Sequence, residues 1–234
     1  MAKFELKLVE IKEEGYDTKT FRFGLGEAKL DFLPGQFIMT NKMIDSKLIR
    51  RAYSISSSPF EKEYIDLTIK RVENGIFSNY MHNLAKTGDV ISIDGPYGKF
   101  EYKDGENDVV LIGAGCGIAP LMSIARYILK KDLKINIVLM HSCKTPNDIL
   151  FKDEISDMYK NHKNFKYFVT ITRPQGHDWN GCMGRINKDI LNGVIADLNN
   201  PIFFVSGTAV FGHDVVNMLS ETGIGKEMIK EEVY

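Results

Sequence analysis

The sequence predicts two domains in series. Residues 1–103 form an antiparallel Greek-key β-barrel, and residues 107–234 form a Rossmann-like α/β domain on a parallel sheet. Two observations predict this. The first half carries short segments in which apolar and polar residues alternate with period two, as in half-buried strands. The second half carries unbroken apolar runs separated by helical stretches, the rhythm of an open α/β sheet. The polar stretch Lys103-Asp104-Gly105-Glu106-Asn107 lies between them.

Each element follows from its residues. Phe4-Glu5-Leu6-Lys7-Leu8-Val9-Glu10-Ile11 alternates with period two, as a half-buried strand does. Further strands are expected at 18–23, 36–40, 48–55, 64–71 and 90–93. Turn signals separate them, among them Pro34-Gly35, Ser58-Pro59 and Gly95-Pro96. Many short strands of this kind suit a closed barrel. Only 76–85 reads as helix in this half. In the second half the apolar runs 109–112, 135–139, 167–171 and 202–205 are buried strands, with helices at 119–131, 148–159 and 210–221.

Composition excludes several classes. The 234 residues are 44% hydrophobic and 26% charged with a formal net charge of −1, so no basic field attracts nucleic acid. Cys116, Cys143 and Cys182 are scattered, with no C-x-x-C pair, which argues against a disulfide scaffold, a zinc ribbon or a self-contained iron–sulfur cluster. The five histidines are equally dispersed, and no metal is expected. The uncharged stretch 109–125 is broken by Gly113, Gly115, Gly117 and Pro120 and is short for a bilayer span, so no membrane insertion is expected. Met1-Ala2-Lys3-Phe4-Glu5 lacks the apolar core of a secretory signal, and a cytoplasmic protein is expected.

The chemistry concentrates in a few places. Arg51-Ala52-Tyr53-Ser54-Ile55-Ser56-Ser57-Ser58 puts a forked cation, a flat ring and small hydroxyls within one strand length. A planar ring system carrying phosphate, such as a flavin nucleotide, needs all three. An amphipathic strand running into a turn at Pro59 satisfies the same pattern. After strand 109–112 comes Gly113-Ala114-Gly115-Cys116-Gly117-Ile118-Ala119-Pro120. A glycine turn there lets a pyrophosphate approach the backbone, and the next helix adds N–H groups and a favourable dipole. Pro120 suits a first helical turn. The spacing is G-x-G-x-G-x-x-P rather than G-x-G-x-x-G, and a tight strand–helix turn without a ligand is the alternative. Ser206-Gly207 ends the strand 202–205 on the same expected edge.

These motifs, in order, resemble the ferredoxin–NADP reductase superfamily over nearly the whole chain. Phe32-Leu33-Pro34-Gly35-Gln36-Phe37 is similar to its F-x-P-G-Q-F/Y segment, Arg51–Ser54 to R-x-Y-S, Gly75-Ile76-Phe77-Ser78 to G-x-x-S, Gly95-Pro96-Tyr97-Gly98 to G-P-x-G, and Gly113–Pro120 to its nicotinamide-nucleotide loop. The resemblance implies FAD, in preference to FMN, on the barrel and NADPH or NADH on the second domain. It implies that Arg51 binds flavin phosphate, that Tyr53 stacks on the ring, and that Ser54, flanked by Ile55 and Ser56, approaches the flavin N5. Gly75 and Ser78 would hold the pyrophosphate, with the helix starting at Ile76 and Phe77 supplying N–H donors. Tyr53 and Ser54 point to opposite faces of a regular strand, so both reach one ring only where the strand twists or the ring lies across its end.

The terminal Glu231-Glu232-Val233-Tyr234 is similar to the tail of plant-type members. By that resemblance Tyr234 gates the flavin, opposite Tyr53, and Glu232 is a proton or hydrogen-bond partner. Plant-type members carry cysteine–glycine where this chain has Ser206-Gly207, so Ser206 would hydrogen-bond near the nicotinamide. Cys116 reads as a small space-filler in the loop. Lys144, Arg173 and Arg185 could form a 2′-phosphate pocket, and Thr172-Arg173 resembles the serine–arginine pair of NADP-using relatives. The implied function passes a hydride between NAD(P)H and flavin, then single electrons to ferredoxin, flavodoxin or another small carrier. A flavin reductase and a non-catalytic electron-transfer subunit are the alternatives.

Overall fold

The computed structural model describes residues 2–176 and 178–234. The chain divides into two compact units, residues 1–103 with 122–130, and residues 104–121 with 131–234. The segment 122–130, which follows the linker in sequence, therefore groups with the first unit.

The first unit is built on β1 (Ala2–Gly15), β2 (Thr18–Gly24), β3 (Phe37–Ile44), β4 (Lys47–Ser54), β5 (Tyr64–Lys70) and β6 (Val90–Tyr97), with helix α1 (Ile76–Asn83). The strand order is β4-β3-β6-β1-β2-β5, with every pairing antiparallel. Two hairpins joined by long returns make this a Greek key. The Ile55–Leu67 bridge and the Ser56 N–H donating to the Asp66 carbonyl at 2.9 Å draw the outer strands together. Alternation sends Leu6, Leu8, Phe21, Phe23, Ile65, Leu67 and Ile69 into the core. Burying each of those two phenylalanines contributes roughly 1.5–3 kcal/mol.

The opposite face of β2 and β5 is also buried, and it is polar. Thr20 Oγ1 and Thr68 Oγ1 share a hydrogen bond of 2.8 Å, and Thr68 and Ser56 Oγ one of 2.9 Å. Ser123, from the segment 122–130, donates to the Ser57 carbonyl at 2.7 Å, and Arg126 donates to that of Ser56. Satisfied in this way, a buried polar layer carries no desolvation penalty for orphaned groups.

The second unit is a parallel sheet of β7 (Val109–Ala114), β8 (Ile137–Cys143), β9 (Phe165–Ile171), β10 (Cys182–Met183), β11 (Ile202–Gly207) and β12 (Ile229–Val233), in the order β10-β9-β8-β7-β11-β12. Its helices are α3 (Lys152–Asn161), α4 (Lys188–Ile195) and α5 (Ala209–Glu221), and α2 (Ile118–Lys130) begins here before its residues 122–130 group with the first unit. One sheet face carries Val110, Ile112, Val138, Met140, Phe203 and Val205 in a single apolar cluster.

The helix expected at 148–159 begins later. The Asp148 carboxylate accepts from the Thr145 N–H at 3.1 Å and the Thr145 hydroxyl at 2.7 Å, closing a separate turn. Phe151 then takes a φ of 55°, which no helix interior tolerates. The strand expected at 135–139 lies at Ile137–Cys143, because pairing with β7 runs on through His141 and Ser142. Among the described residues, no helix is long and apolar enough to cross a membrane.

Candidate functional site

Strand register builds a row of residues across the carboxyl edge of the second unit. His141 on β8 pairs with Gly113 on β7, Gly113 pairs with Ser206 on β11, and Ser206 pairs with Glu232 on β12. Paired residues of parallel strands share a face, so all four lie on one side of the sheet. Open α/β sheets bind ligands at this edge.

The glycine turn rises from that row. Gly115 has a φ of +52° and nothing within 4 Å of where a Cβ would stand, so its backbone lies open to a ligand. Gly117 is required for the opposite reason. A Cβ there would come within 2.4 Å of the Ser206 carbonyl oxygen, so the two strand–helix turns touch backbone to backbone. Pro120 is buried in the first turn of α2. Cys116 is half-buried between the glycines.

Ser206 is 1% exposed, and among the described residues its Oγ has no hydrogen-bond partner. A buried hydroxyl left unmatched costs about 1–3 kcal/mol, so the position favours a ligand that supplies the partner. The end of β12 closes over the same place. The Tyr234 N–H donates to the Gly207 carbonyl at 3.2 Å, and its phenol reaches the Ala114 carbonyl at 3.4 Å. The residue as a whole is 67% exposed, while burial of its hydroxyl pushes the phenol above the usual tyrosine value. Three of the four residues assigned chemistry from sequence, Ser206, Glu232 and Tyr234, are therefore gathered here. The fourth, Ser54, belongs to the first unit.

The three expected cations follow the edge further along. The Arg173 N–H donates to the Lys144 carbonyl at 2.7 Å, which sets those residues side by side, both exposed. Arg185 follows Gly184, whose N–H donates to the Ile171 carbonyl at 2.9 Å. Its guanidinium lies 4.0 Å from Asp214, a loose surface pair.

In the first unit, Tyr53 is half-buried with its ring 5.4 Å from that of Phe77, so α1 fixes the tyrosine plane. Ser54 is paired with Phe37 on β3. Arg51 is exposed and braces itself with one N–H on the Arg50 carbonyl at 2.8 Å. Gly75 is the residue before α1, and no side chain among the described residues caps the helix there. Ile76 is exposed and Phe77 buried, so the first turn presents one residue outward and roots the other in the core.

Two side chains expected to face the cofactor are turned inward. Ile55 is 0% exposed in the core, and the Ser56 hydroxyl donates to the Asp66 carbonyl at 3.1 Å. Ser78 is likewise committed to its own turn, accepting from the Val72 N–H at 3.1 Å and donating to the Gly75 carbonyl at 3.3 Å. These three can meet a ligand only through the backbone. The braces Ser123 and Arg126, and the imidazole of His141, are not among the residues the sequence marks. Nothing but a polar residue ending a buried apolar strand signals His141, and helix periodicity does not reveal which carbonyl Ser123 meets.

The geometry defines a nucleotide-binding α/β unit following a flavin-type barrel, and comparison with known proteins assigns the class. Residues 5–102 match an oxidoreductase FAD-binding domain, and residues 111–217 match an oxidoreductase NAD-binding domain. The chain belongs to the ferredoxin–NADP reductase superfamily of FAD- and NAD-binding oxidoreductases. It is 32% identical to the glycine betaine monooxygenase reductase subunit of Pseudomonas aeruginosa over 98% of this chain, and it spans 63% of that relative's length. It is 34% identical to NADH-cytochrome b5 reductase 1 of Dictyostelium discoideum over 80% of this chain and 67% of that protein. In fold it is similar to the FAD/NAD binding domain of a Vibrio cholerae nitric oxide dioxygenase, with a TM-score of 0.86 at 24% identity over 98% of both chains. A ferredoxin NADP+ reductase from Neisseria gonorrhoeae gives 0.85 at 22% identity, over 100% of this chain and 99% of that one.

The residues fit both groups. The uncapped α1 terminus and the exposed Arg51 each suit phosphate, and the Phe77-backed Tyr53 ring suits a flavin. The orphaned Ser206 hydroxyl and the open Gly115 backbone suit a nicotinamide nucleotide.

Proposed function

We propose that this protein is a reductase that takes electrons from NADPH or NADH and delivers them to a separate electron-carrier protein. The observation that carries the reading is the orphaned Ser206 hydroxyl, set in one row with Gly113 and Glu232 under Tyr234.

FAD, when bound, supplies hydride acceptance from the nicotinamide and stepwise release of electrons. The chain supplies placement. Arg51 neutralises flavin phosphate, the α1 terminus adds N–H donors, Tyr53 offers its face and Ser54 its hydroxyl. In the second unit the Gly113–Gly117 turn receives the nucleotide pyrophosphate. Ser206 hydrogen-bonds beside the nicotinamide, and Glu232 holds a proton or hydrogen bond on the next strand. Tyr234 covers the turns until the nucleotide displaces it. Lys144 and Arg173 suit a 2′-phosphate, whereas the relatives' names include NADH. A ferredoxin or flavodoxin is the favoured acceptor. The relatives act, by name, with a monooxygenase and with cytochrome b5, so a haem or oxygenase component is the competing one.

Anaerobic stopped-flow reduction tests this. The purified protein should be yellow, its flavin should bleach on mixing with NADPH or NADH, and added ferredoxin should restore the colour. A protein with no flavin affinity, or with bound flavin that neither nucleotide reduces, overturns the reading.

A further inference from the structure

The glycine turn is held by a residue that belongs to neither the turn nor its helix. His141 is 0% exposed, and its Nε2 lies 3.1 Å from the Gly115 carbonyl oxygen. A carbonyl can only accept, so Nε2 carries the proton. The same oxygen accepts from the Ile118 N–H. Both of its lone pairs are therefore engaged, one by the helix and one by the neighbouring strand.

That carbonyl belongs to the residue with the left-handed conformation, φ +52°. A glycine there has little intrinsic preference between left- and right-handed backbone, so something outside it must select one. A trans peptide is planar, with C=O and N–H pointing opposite ways. Tying the Gly115 oxygen inward to β8 consequently aims the Cys116 N–H outward, toward the open side of the turn.

We propose that His141 is a positioning residue for nucleotide binding. By donating Nε2–H to Gly115, it fixes the peptide whose N–H meets the nucleotide pyrophosphate. It touches neither cofactor nor substrate. The inference rests on the reading above, that NADPH or NADH binds at this turn, and it explains why a histidine occupies a fully buried position in an apolar strand.

The test compares His141→Gln with His141→Asn in the FAD-loaded protein. Glutamine places an amide N–H near the position of Nε2, whereas asparagine is one methylene too short to reach Gly115. In single-turnover reduction by NADPH and by NADH, His141→Asn should raise the half-saturating concentration about tenfold, the scale of one lost hydrogen bond. Its limiting rate should stay within about twofold, and His141→Gln should bind within about twofold of the parent. ADP-ribose, which keeps the pyrophosphate and lacks nicotinamide, should show the same loss in titration.

Equal affinities for the two variants overturn the inference. Absence of saturable reduction in the parent overturns the functional reading itself, and the inference with it. Should a variant not fold, the imidazole nitrogen resonances of the parent decide. A proton on Nε2 is expected, and a proton on Nδ1 with bare Nε2 excludes the bond.

Discussion

The backbone N–H of Tyr234 donates to the carbonyl of Gly207 at 3.2 Å, so the terminal aromatic is seated on the turn that follows β11. β12 delivers it there by parallel pairing from Phe203↔Ile229 to Gly207↔Val233. The residue is 67% exposed as a whole, yet its phenol is held at the glycine turn by the Ala114 carbonyl at 3.4 Å and a backbone bond at Gly117, and burial pushes the hydroxyl above the usual tyrosine value. A side chain seated over a binding edge acts as a competitor. Removing it should tighten nucleotide binding by the inverse of the fraction of time the edge stands open. Tyr234→Ser is expected to lower the dissociation constants for NADPH and NADH by about threefold to tenfold, read by titration of the oxidised protein. No change would mean that the tail does not cover the nicotinamide position.

Cofactor choice is the second prediction. Lys144 and Arg173 stand side by side through a 2.7 Å backbone hydrogen bond, so their side chains leave the sheet edge together. If they receive a 2′-phosphate, Arg173→Glu replaces an attraction by a repulsion for NADPH alone. The ratio of kcat/KM for NADPH over NADH should fall about tenfold or more, since charge-assisted contacts to phosphate are worth roughly 1.5–3 kcal/mol. An equal effect on both nucleotides would remove the 2′-phosphate assignment.

Much of this architecture is legible in the residues. The alternation in 4–8 and the apolar run at 109–112 each have one buried arrangement, and both appear within β1 and β7, with a register shift at Leu8/Glu10 turning Val9 outward. The glycine turn is legible because two glycines have separate duties there, an unusual φ at Gly115 and a backbone contact at Gly117. What escapes is set by tertiary partners. Cys182–Met183 is a strand only because β9 offers it an edge, and Ile229–Val233 only because β11 does. The serine run is expected to serve the cofactor, yet Ser56 bonds to Asp66 and Thr68 on β5, across a chain reversal whose partners sequence periodicity does not report. His141 is unreadable for the same reason, since its partner carbonyl lies in another strand's turn.

The brace on that serine run gives a third prediction. Ser123 Oγ donates to the Ser57 carbonyl at 2.7 Å, with both residues essentially unexposed. Ser123→Ala leaves a buried carbonyl without this donor and should destabilise the first unit by about 1–2 kcal/mol. Urea unfolding followed by barrel-sensitive fluorescence measures it. Ser123→Cys, a weak donor of similar size, should recover only part of the loss.

The last prediction concerns pH. Asp108, at the start of β7, is buried and accepts three hydrogen bonds, from the Asn136 N–H at 2.7 Å, the Asn136 side-chain amide at 3.0 Å and the Asn199 N–H at 2.8 Å. Burial pushes its carboxyl up, but the bonds from Asn199 and Asn136 outweigh that and hold it below the usual carboxylate value. A carboxyl depressed in the folded state contributes stability that is fully present above its unfolded value, roughly 3.9, and is lost as pH falls through the folded value. Asp108→Asn keeps one acceptor oxygen and places an amide among donors. It should cost about 2–3 kcal/mol at pH 7, and the gap to the parent should close as the pH is lowered below about 3.9. Unfolding of the second unit, measured as Tm between neutral and acid pH, reads both values. A gap that stays constant with pH would mean that the carboxylate's charge adds nothing and that only its shape is needed to join β7 to Asn136 and Asn199.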